Sequence, residues 1–333
     1  MKIKRAVAAA ILVFAVAFTL LFGKSGIADN GLKVSSAEYK GILTVWHVDT
    51  FEGGVGSRKQ FLLSVSRGFE KLYNGVLVMV VDYTAESAEQ AISDGKSPDI
   101  ISYGAGVNVQ NVRSLGNLIA VGGTYNGETY ALPWARGGYC IIRNPDYSAN
   151  RNDAGKLLVS QGEFTNPLTA YALSGKQPIA AENTEILSPM NAYVKFTQGK
   201  TERFLATQRD VHRLILRGMD FTSEPLDGYN DLYQYVSVLS EDAVKAEYAR
   251  KFAEYLISED VQKQLYKIGL FSCYFGVEYD SPDLSAMQKT EIKTVLSAFT
   301  SEERIKKLQS FGASAAAGNG AVISEIKKLV SLA

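Results

Sequence analysis

Asp49, Thr50, Glu52, Ser57 and Arg58 are clustered in the segment DTFEGGVGSR, directly after the apolar run Ile42–Val48. Two carboxylates, two hydroxyls and a guanidinium supply the acceptors and donors that a small polar solute needs, and each carboxylate can accept from two hydroxyl groups. The plainer alternatives are local. Ser57 is a helix N-cap by residue type, and the carboxylates can cap the following helix or remain solvated. Phosphate and dinucleotide chemistry fail on spacing. The Gly-Lys-Ser at 95–97 and Gly-Lys-Thr at 199–201 would need glycines at 90 and 194, where the chain has Gln90 and Val194. Gly54-Val55-Gly56 lacks a third glycine, because position 59 is Lys59. No G-x-S-x-G elbow occurs, and His47 and His212 have no zinc-type neighbours. No cofactor, metal or catalytic residue is expected.

The elements that must position this loop follow from periodicity. ILTVWHV reads as a strand, and Phe61, Leu62, Val65, Phe69 and Leu72 share one face of a helix over 58–73. Asn74-Gly75 ends that helix, and Val76–Val81 is an apolar run of the kind found in buried parallel strands. A short helix over 85–93 and a strand over 99–103 complete β-loop-α-β-α-β, a parallel α/β unit whose ligands sit beyond the strand ends. Asn126-Gly127 marks a hairpin turn, and 132–142 reads as extended. The span 144–185 is loop-rich. Beyond it come a helix over 191–197, a short strand over 202–206, a strand over 232–238 and helical segments ending at Gly269. Residues 283–333 read as helical, interrupted by the Ala/Gly stretch 312–321.

The amino end sets the compartment. Lys2, Lys4 and Arg5 precede the uncharged run Ala6–Gly23, the pattern of a Sec export signal or of an uncleaved membrane anchor. Small-x-small cleavage patterns end at Ala28 and Ala37, and no cysteine follows the run, which excludes a lipid-anchored form. The first 37 residues carry five basic side chains and one acid. Of 35 basic and 35 acidic residues, the remainder therefore keeps 30 and 34, a net of −4. That balance argues against a nucleic-acid partner, which would select a basic face. Cys140 and Cys273 are too few for a disulfide framework; they could form one bridge outside the cell, with buried free thiols as the plainer reading.

Four segments, in order, carry a family resemblance: WHVDTFEGGVGS with its helix ending in FEKLYNG; SPDIISYG; GETYALPWARGGYCIIRN; and FTQGKTERFLATQRD with ARKFAEYLISEDVQKQLYKIGLFS. The chain resembles the extracellular solute-binding proteins of ABC importers, in particular the carbohydrate-binding branch that includes the maltose-binding proteins. One departure is a shortened span over 144–190. The resemblance implies an α/β, two-lobe type II periplasmic-binding-protein fold with crossing hinge strands. Lobe I would take 38–120 and 225–280; lobe II would take 121–224 and 281–333, with the hinge strands. It implies a monomer outside the cytoplasm that delivers a sugar to the transmembrane subunits of a permease.

Tyr103 stands where the family places an aromatic at a strand end, and stacking on a sugar competes there with core packing. Trp134 and Arg136 alternate with Leu132 on one face of the presumed crossing strand. Gln208 and Arg209 follow a short strand at a loop that should border the cleft, with a local ion-pair set among Arg209, Asp210 and Arg213 as the alternative. Tyr229 and Asp231 resemble another cleft position of the family. A secreted glycoside hydrolase using Asp49 and Glu52 is the rival reading. Two carboxylates three residues apart on one loop are poorly placed to flank a scissile bond. A sensor domain with the same fold is a further alternative.

Overall fold

The computed structural model describes residues 39–53, 56–118, 120–145, 147 and 155–331. The export-signal reading falls on residues outside this set. Among the described residues, no helix is long and apolar enough to cross a membrane.

The first half-unit forms as its periodicity dictates. Strand β1 (Gly41–Val48) pairs in parallel with β2 (Val76–Tyr83) on one side and with β3 (Ile100–Tyr103) on the other. Helix α1 (Arg58–Leu72) connects β1 to β2, and α2 (Ala85–Ser93) connects β2 to β3. Phe61, Leu62, Val65 and Phe69 of α1 are buried. At about 1.5–3 kcal/mol for each large apolar side chain, they outweigh the roughly 1 kcal/mol available from an N-cap. The apolar face, not the cap, holds α1 to the sheet. Leu72, expected on that face, is 64% exposed in the last turn. β2 also differs from expectation. It lies at the sheet edge, and Leu77 and Met79 are 58% and 49% exposed while Val76, Val78 and Val80 are buried. An edge strand has one neighbour, so helix cover on both faces does not extend to it.

The hairpin β4 (Thr124–Tyr125) and β5 (Glu128–Thr129) turns at Asn126 and Gly127, both with positive φ, as a two-residue turn of that composition requires. The extended run then divides. β6 (Leu132–Arg136) belongs to the first sheet and β7 (Tyr139–Arg143) to a second, with Gly137-Gly138 crossing between them. Side chains clamp that crossing. Gln208 Oε1 accepts from Gly138 N at 3.0 Å, and Asn230 Nδ2 donates to Gly137 O at 3.0 Å. A Cβ on Gly137 would lie 2.6 Å from Gln208 Oε1, which is why glycine is required there.

The second sheet has the order β11-β7-β10-β8-β9. It uses β8 (Leu157–Ser160), a strand inside the span 144–185 that reads as loop-rich, and β9 (Thr184–Leu187), which begins at the end of that span. Helix α3 (Pro167–Leu173) lies between them, and α4 (Pro189–Thr197) follows. β10 (Arg203–Thr207) runs into α5 (Gln208–Leu216), and β11 (Thr222–Pro225) pairs antiparallel with β7. The chain returns through β12 (Gly228–Asn230) to β13 (Tyr233–Val238), which closes the first sheet as β2-β1-β3-β13-β6.

Helix α6 (Ala243–Leu256) packs on α1, with Phe252 edge-on to Phe69 at 5.3 Å. A short α7 (Glu259–Gln262) leads to Gly269, whose left-handed conformation (φ 63°) ends the segment as expected. The last part is less uniformly helical than its sequence reads. α8 (Pro282–Gln288) precedes a strand, β14 (Ile292–Val295), and α9 (Glu302–Ala316) runs through Gly312 without a break. A Cβ at 312 would come within 2.7 Å of Thr169 N, so that glycine serves the close approach of α9 to α3. Cys140 and Cys273 are both free thiols.

Candidate functional site

A cavity of about 510 Å³ opens beyond the carboxyl ends of β1, β8 and β10. Asp49, Thr50, Glu52, Ser57, Arg58 and Arg209 line it, half of the twelve side chains singled out from sequence.

The first wall is the loop after β1, and a buried polar ring holds it. Arg58 Nη2 reaches Asp49 Oδ1 at 2.6 Å, Arg58 Nη1 donates to Gln234 Oε1 at 3.1 Å, and Nη2 also donates to Phe51 O. Gln234 Nε2 donates to Val48 O at 3.0 Å and to Ser102 Oγ at 3.1 Å. Ser102 Oγ also accepts from Trp134 Nε1 at 3.0 Å and lies 3.1 Å from His47 Nδ1. With both acceptor positions filled, the Ser102 hydroxyl donates to Nδ1, which places the His47 proton on Nε2. Nε2 stands 2.8 Å from Asp49 Oδ1, an electrostatic contact without the alignment of a good hydrogen bond. Burial would raise the Asp49 pKa, but the His47 ring and the Arg58 charge more than offset it and hold the carboxyl below its ordinary value. Both of these contacts end on Oδ1, which leaves Oδ2 as an acceptor on a side chain 62% exposed.

Arg58 therefore anchors the wall. It is buried, stacks over the Phe51 ring at 4.4 Å, and has its pKa lowered by burial despite Asp49. Ser57 accepts from Gln60 N at 3.4 Å as the N-cap of α1, the plainer of its two readings, and also lines the cavity. Thr50 packs tightly over Gly104, where any Cβ would collide with its hydroxyl.

The opposite wall comes from the second sheet. Ser160 ends β8, and residues 162–165 fold back so that Thr165 Oγ1 accepts from Gly162 N at 2.8 Å. Gly162, Glu163, Phe164, Thr165, Pro189 and Thr207 line this side. Arg209, at the start of α5, forms an ion pair with Glu52 across the cavity, in place of the local set with Asp210 and Arg213. Asp210 instead accepts from Thr207 N at 3.1 Å as part of the α5 capping box. Burial pushes its pKa up to about 6, against the pull of Thr207, Arg209 and Arg213.

Six expected contacts lie elsewhere, each for an identifiable reason. Tyr103 is fully buried with its hydroxyl 3.1 Å from Ser237 Oγ, and burial raises its pKa. Trp134 is buried, stacked on Phe61 at 5.8 Å and bonded to Ser102. Arg136 donates to Gln288 O at 2.6 Å and lies over Phe271. All five residues of β6 are buried, so alternation along it does not separate a solvent face from a core face. Gln208 clamps the glycine crossing. Tyr229 is buried beside Asp231, and burial, then the Asp231 charge, raises its pKa. Asp231 accepts from Tyr139 Oη, Asn166 N and Asn166 Nδ2, each at 2.7 Å, and so ties the crossing to the second wall.

The aromatic faces at the cavity are Phe51 and Phe164, neither singled out from sequence. The signal for the second wall was the short run LLVS ahead of Thr165-Asn166-Pro167, a strand followed by a loop and a Pro-initiated helix. A second cavity of about 860 Å³ shares Asp49, Glu163 and Phe164 with the first and carries Asp82, Glu86, Glu89 and Glu302 on its walls. Among the described residues, no cluster of His, Cys, Asp or Glu side chains could hold a metal ion.

No protein-family model matches the sequence, and no curated protein matches it. Solved structures do. The sugar-binding protein MalE from Xanthomonas citri superposes with a TM-score of 0.61 at 12% identity, covering 87% of this chain and 95% of that one. The galacto-N-biose-/lacto-N-biose I-binding protein of the ABC transporter from Bifidobacterium longum, in complex with lacto-N-biose, gives 0.59 at 12% identity over 88% and 96%. The GacH receptor of Streptomyces glaucescens GLA.O, whose structures include an acarbose complex, gives 0.55 at 15% identity over 88% and 99%. The chain thus has the two-lobe, type II periplasmic-binding-protein fold.

Proposed function

We propose that the chain is a non-enzymatic, extracytoplasmic solute-binding protein that captures a carbohydrate between two lobes and delivers it to an ABC permease. The observation that carries this reading is the charge balance of the 510 Å³ cavity. Asp49 is matched by Arg58 and Glu52 by Arg209, so of the five charged side chains in the lining only Glu163 adds net charge, beside the rings of Phe51 and Phe164. Neutral hydroxyl-rich rings with apolar faces suit that lining. The solved structures of the same fold that hold acarbose or lacto-N-biose point the same way. The two adjoining cavities favour an oligosaccharide over a single ring. We take the lobes to be 38–120 with 225–280 and 121–224 with 281–333. The separate sheets containing β1–β3 with β13 and β7–β11 support that division, with β6 joining the first sheet, and the basic, apolar amino end supports Sec export.

Hydrolysis is disfavoured by the same carboxylates. A glycosidase acid needs a raised pKa and a partner across the scissile bond, whereas Asp49 is held low and Glu52 is paired with Arg209. A thermal-shift panel of mono- and oligosaccharides tests the proposal, because a solute that binds only the folded chain raises its Tm. A sugar hit without turnover is expected. Response only to amines, anions or amino acids would overturn the carbohydrate assignment.

A further inference from the structure

We propose that Gln309, on helix α9, is the positioning residue that sets the shape of the second wall of the cavity. Its Nε2 lies 3.3 Å from Gly162 O, 2.9 Å from Glu163 O and 3.0 Å from Thr165 O. Two amide hydrogens thus serve three carbonyls, with one hydrogen shared. The carbonyls converge because the loop closes on itself, with Thr165 Oγ1 accepting from Gly162 N at 2.8 Å and Asn166 N donating to Asp231 Oδ2 at 2.7 Å. Converging carbonyl dipoles repel one another unless a donor sits between them, and Gln309 is that donor. The platform behind it is firm. Ser301 caps α9, Gly312 brings the helix against Thr169, and Thr169 Oγ1 donates to Leu308 O at 3.0 Å. Gln309 itself does not line the 510 Å³ cavity, so it acts through Glu163, Phe164 and Thr165. That these residues meet a sugar rests on the proposed function; that Gln309 shapes their loop does not.

Amide hydrogen exchange of the full chain tests this without any ligand. Gln309→Met keeps the length and removes both donors. It should raise exchange at Gly162, Thr165 and Asn166 by about tenfold, as expected for losing such bonds, while amides in α9 keep their protection. Gln309→Glu should show the same loss at pH 8, where a carboxylate faces three carbonyls. Relative to wild type at matched pH, it should recover at pH 5 as the protonated carboxyl regains a donor. Unchanged exchange in both variants overturns the proposal. So does an equal loss throughout α9, or a Glu variant indifferent to pH. Maltotriose serves as the binding probe: weaker binding by Gln309→Met with α9 intact is the expected consequence. Failure of wild type to bind any sugar would count against the carbohydrate reading and leave the exchange result to decide the role of Gln309.

Discussion

The two walls of the cavity are built by different means. The wall after β1 is made of charged and amide side chains joined in a closed ring, Asp49–Arg58–Gln234–Ser102–His47, with the Trp134 indole as a further donor. The wall after β8 is backbone folded on itself and held by Asp231 from the crossing and Gln309 from a distant helix. The first wall is rigid because its buried Arg58, Gln234, Ser102 and Trp134 are hydrogen-bonded to one another or to the loop, with His47 Nε2 held by its electrostatic contact to Asp49. The second is held by partly exposed contacts from Gln309 besides the buried Asp231, which makes it the more adjustable of the two. Glu52 and Arg209 join them.

The largest predicted effect breaks the first wall. Arg58→Met leaves Gln234 Oε1 and Phe51 O without their donor and the exposed Asp49 with only His47 beside it. Two buried acceptors left unsatisfied at about 1–3 kcal/mol each give an expected loss of about 2–6 kcal/mol. A fall of that size should appear in urea unfolding midpoints; a change below about 1 kcal/mol would mean that the ring is not what holds the loop. Next is Asp210 beside the second wall. Its folded pKa, about 6, lies above the ordinary 3.8. The native form therefore binds the proton more tightly, and this contribution to stability is complete below 3.8 and lost as pH rises through 6. Asp210→Asn keeps an acceptor for Thr207 N without the buried charge. It should be more stable than wild type at neutral pH by on the order of 1–3 kcal/mol, with the difference closing below the ordinary carboxyl value. Melting curves from pH 4 to pH 8 check the slope. A smaller effect is expected at Phe164, whose half-buried ring faces the cavity. Phe164→Ala should weaken sugar binding by about three- to tenfold with little change in Tm, measured by calorimetric titration.

The difference between the walls also explains what the sequence revealed. Ile42–Val48, the amphipathic face from Phe61 to Phe69 and the Asn126-Gly127 turn are local signals, and the elements form there. Asp49, Thr50 and Glu52 reach the cavity because a βα loop must open at the strand end, which is a rule of topology. Tyr103, Trp134 and Arg136 illustrate the limit. Alternation tells which side chains share a face, but in β3 and β6 every residue is buried. β8 spans only Leu157–Ser160, too short for a period to emerge, and residues 162–165 have none. Gln309 lies on a helix whose own pattern gives no hint of the loop it supports. Such contacts are properties of the tertiary fold and leave no local trace.

The smallest expected effect bears most directly on how the walls communicate. Glu52 and Arg209 are each partly exposed, at 35% and 22%, so their pairing should contribute only about 0.2–1 kcal/mol and weaken with salt. That contribution favours any arrangement in which the walls face each other. Breaking the pair lowers the population of that arrangement, and apparent sugar affinity falls by the same factor. Single variants are ambiguous because either side chain can also touch the solute. A double-mutant cycle of Glu52→Gln and Arg209→Gln in the sugar-free protein isolates the pair. A coupling that disappears in high salt, with a salt-dependent radius of gyration in wild type but not in the double variant, is the expected result. Zero coupling at low salt would show that the walls are positioned independently and meet only through the bound solute.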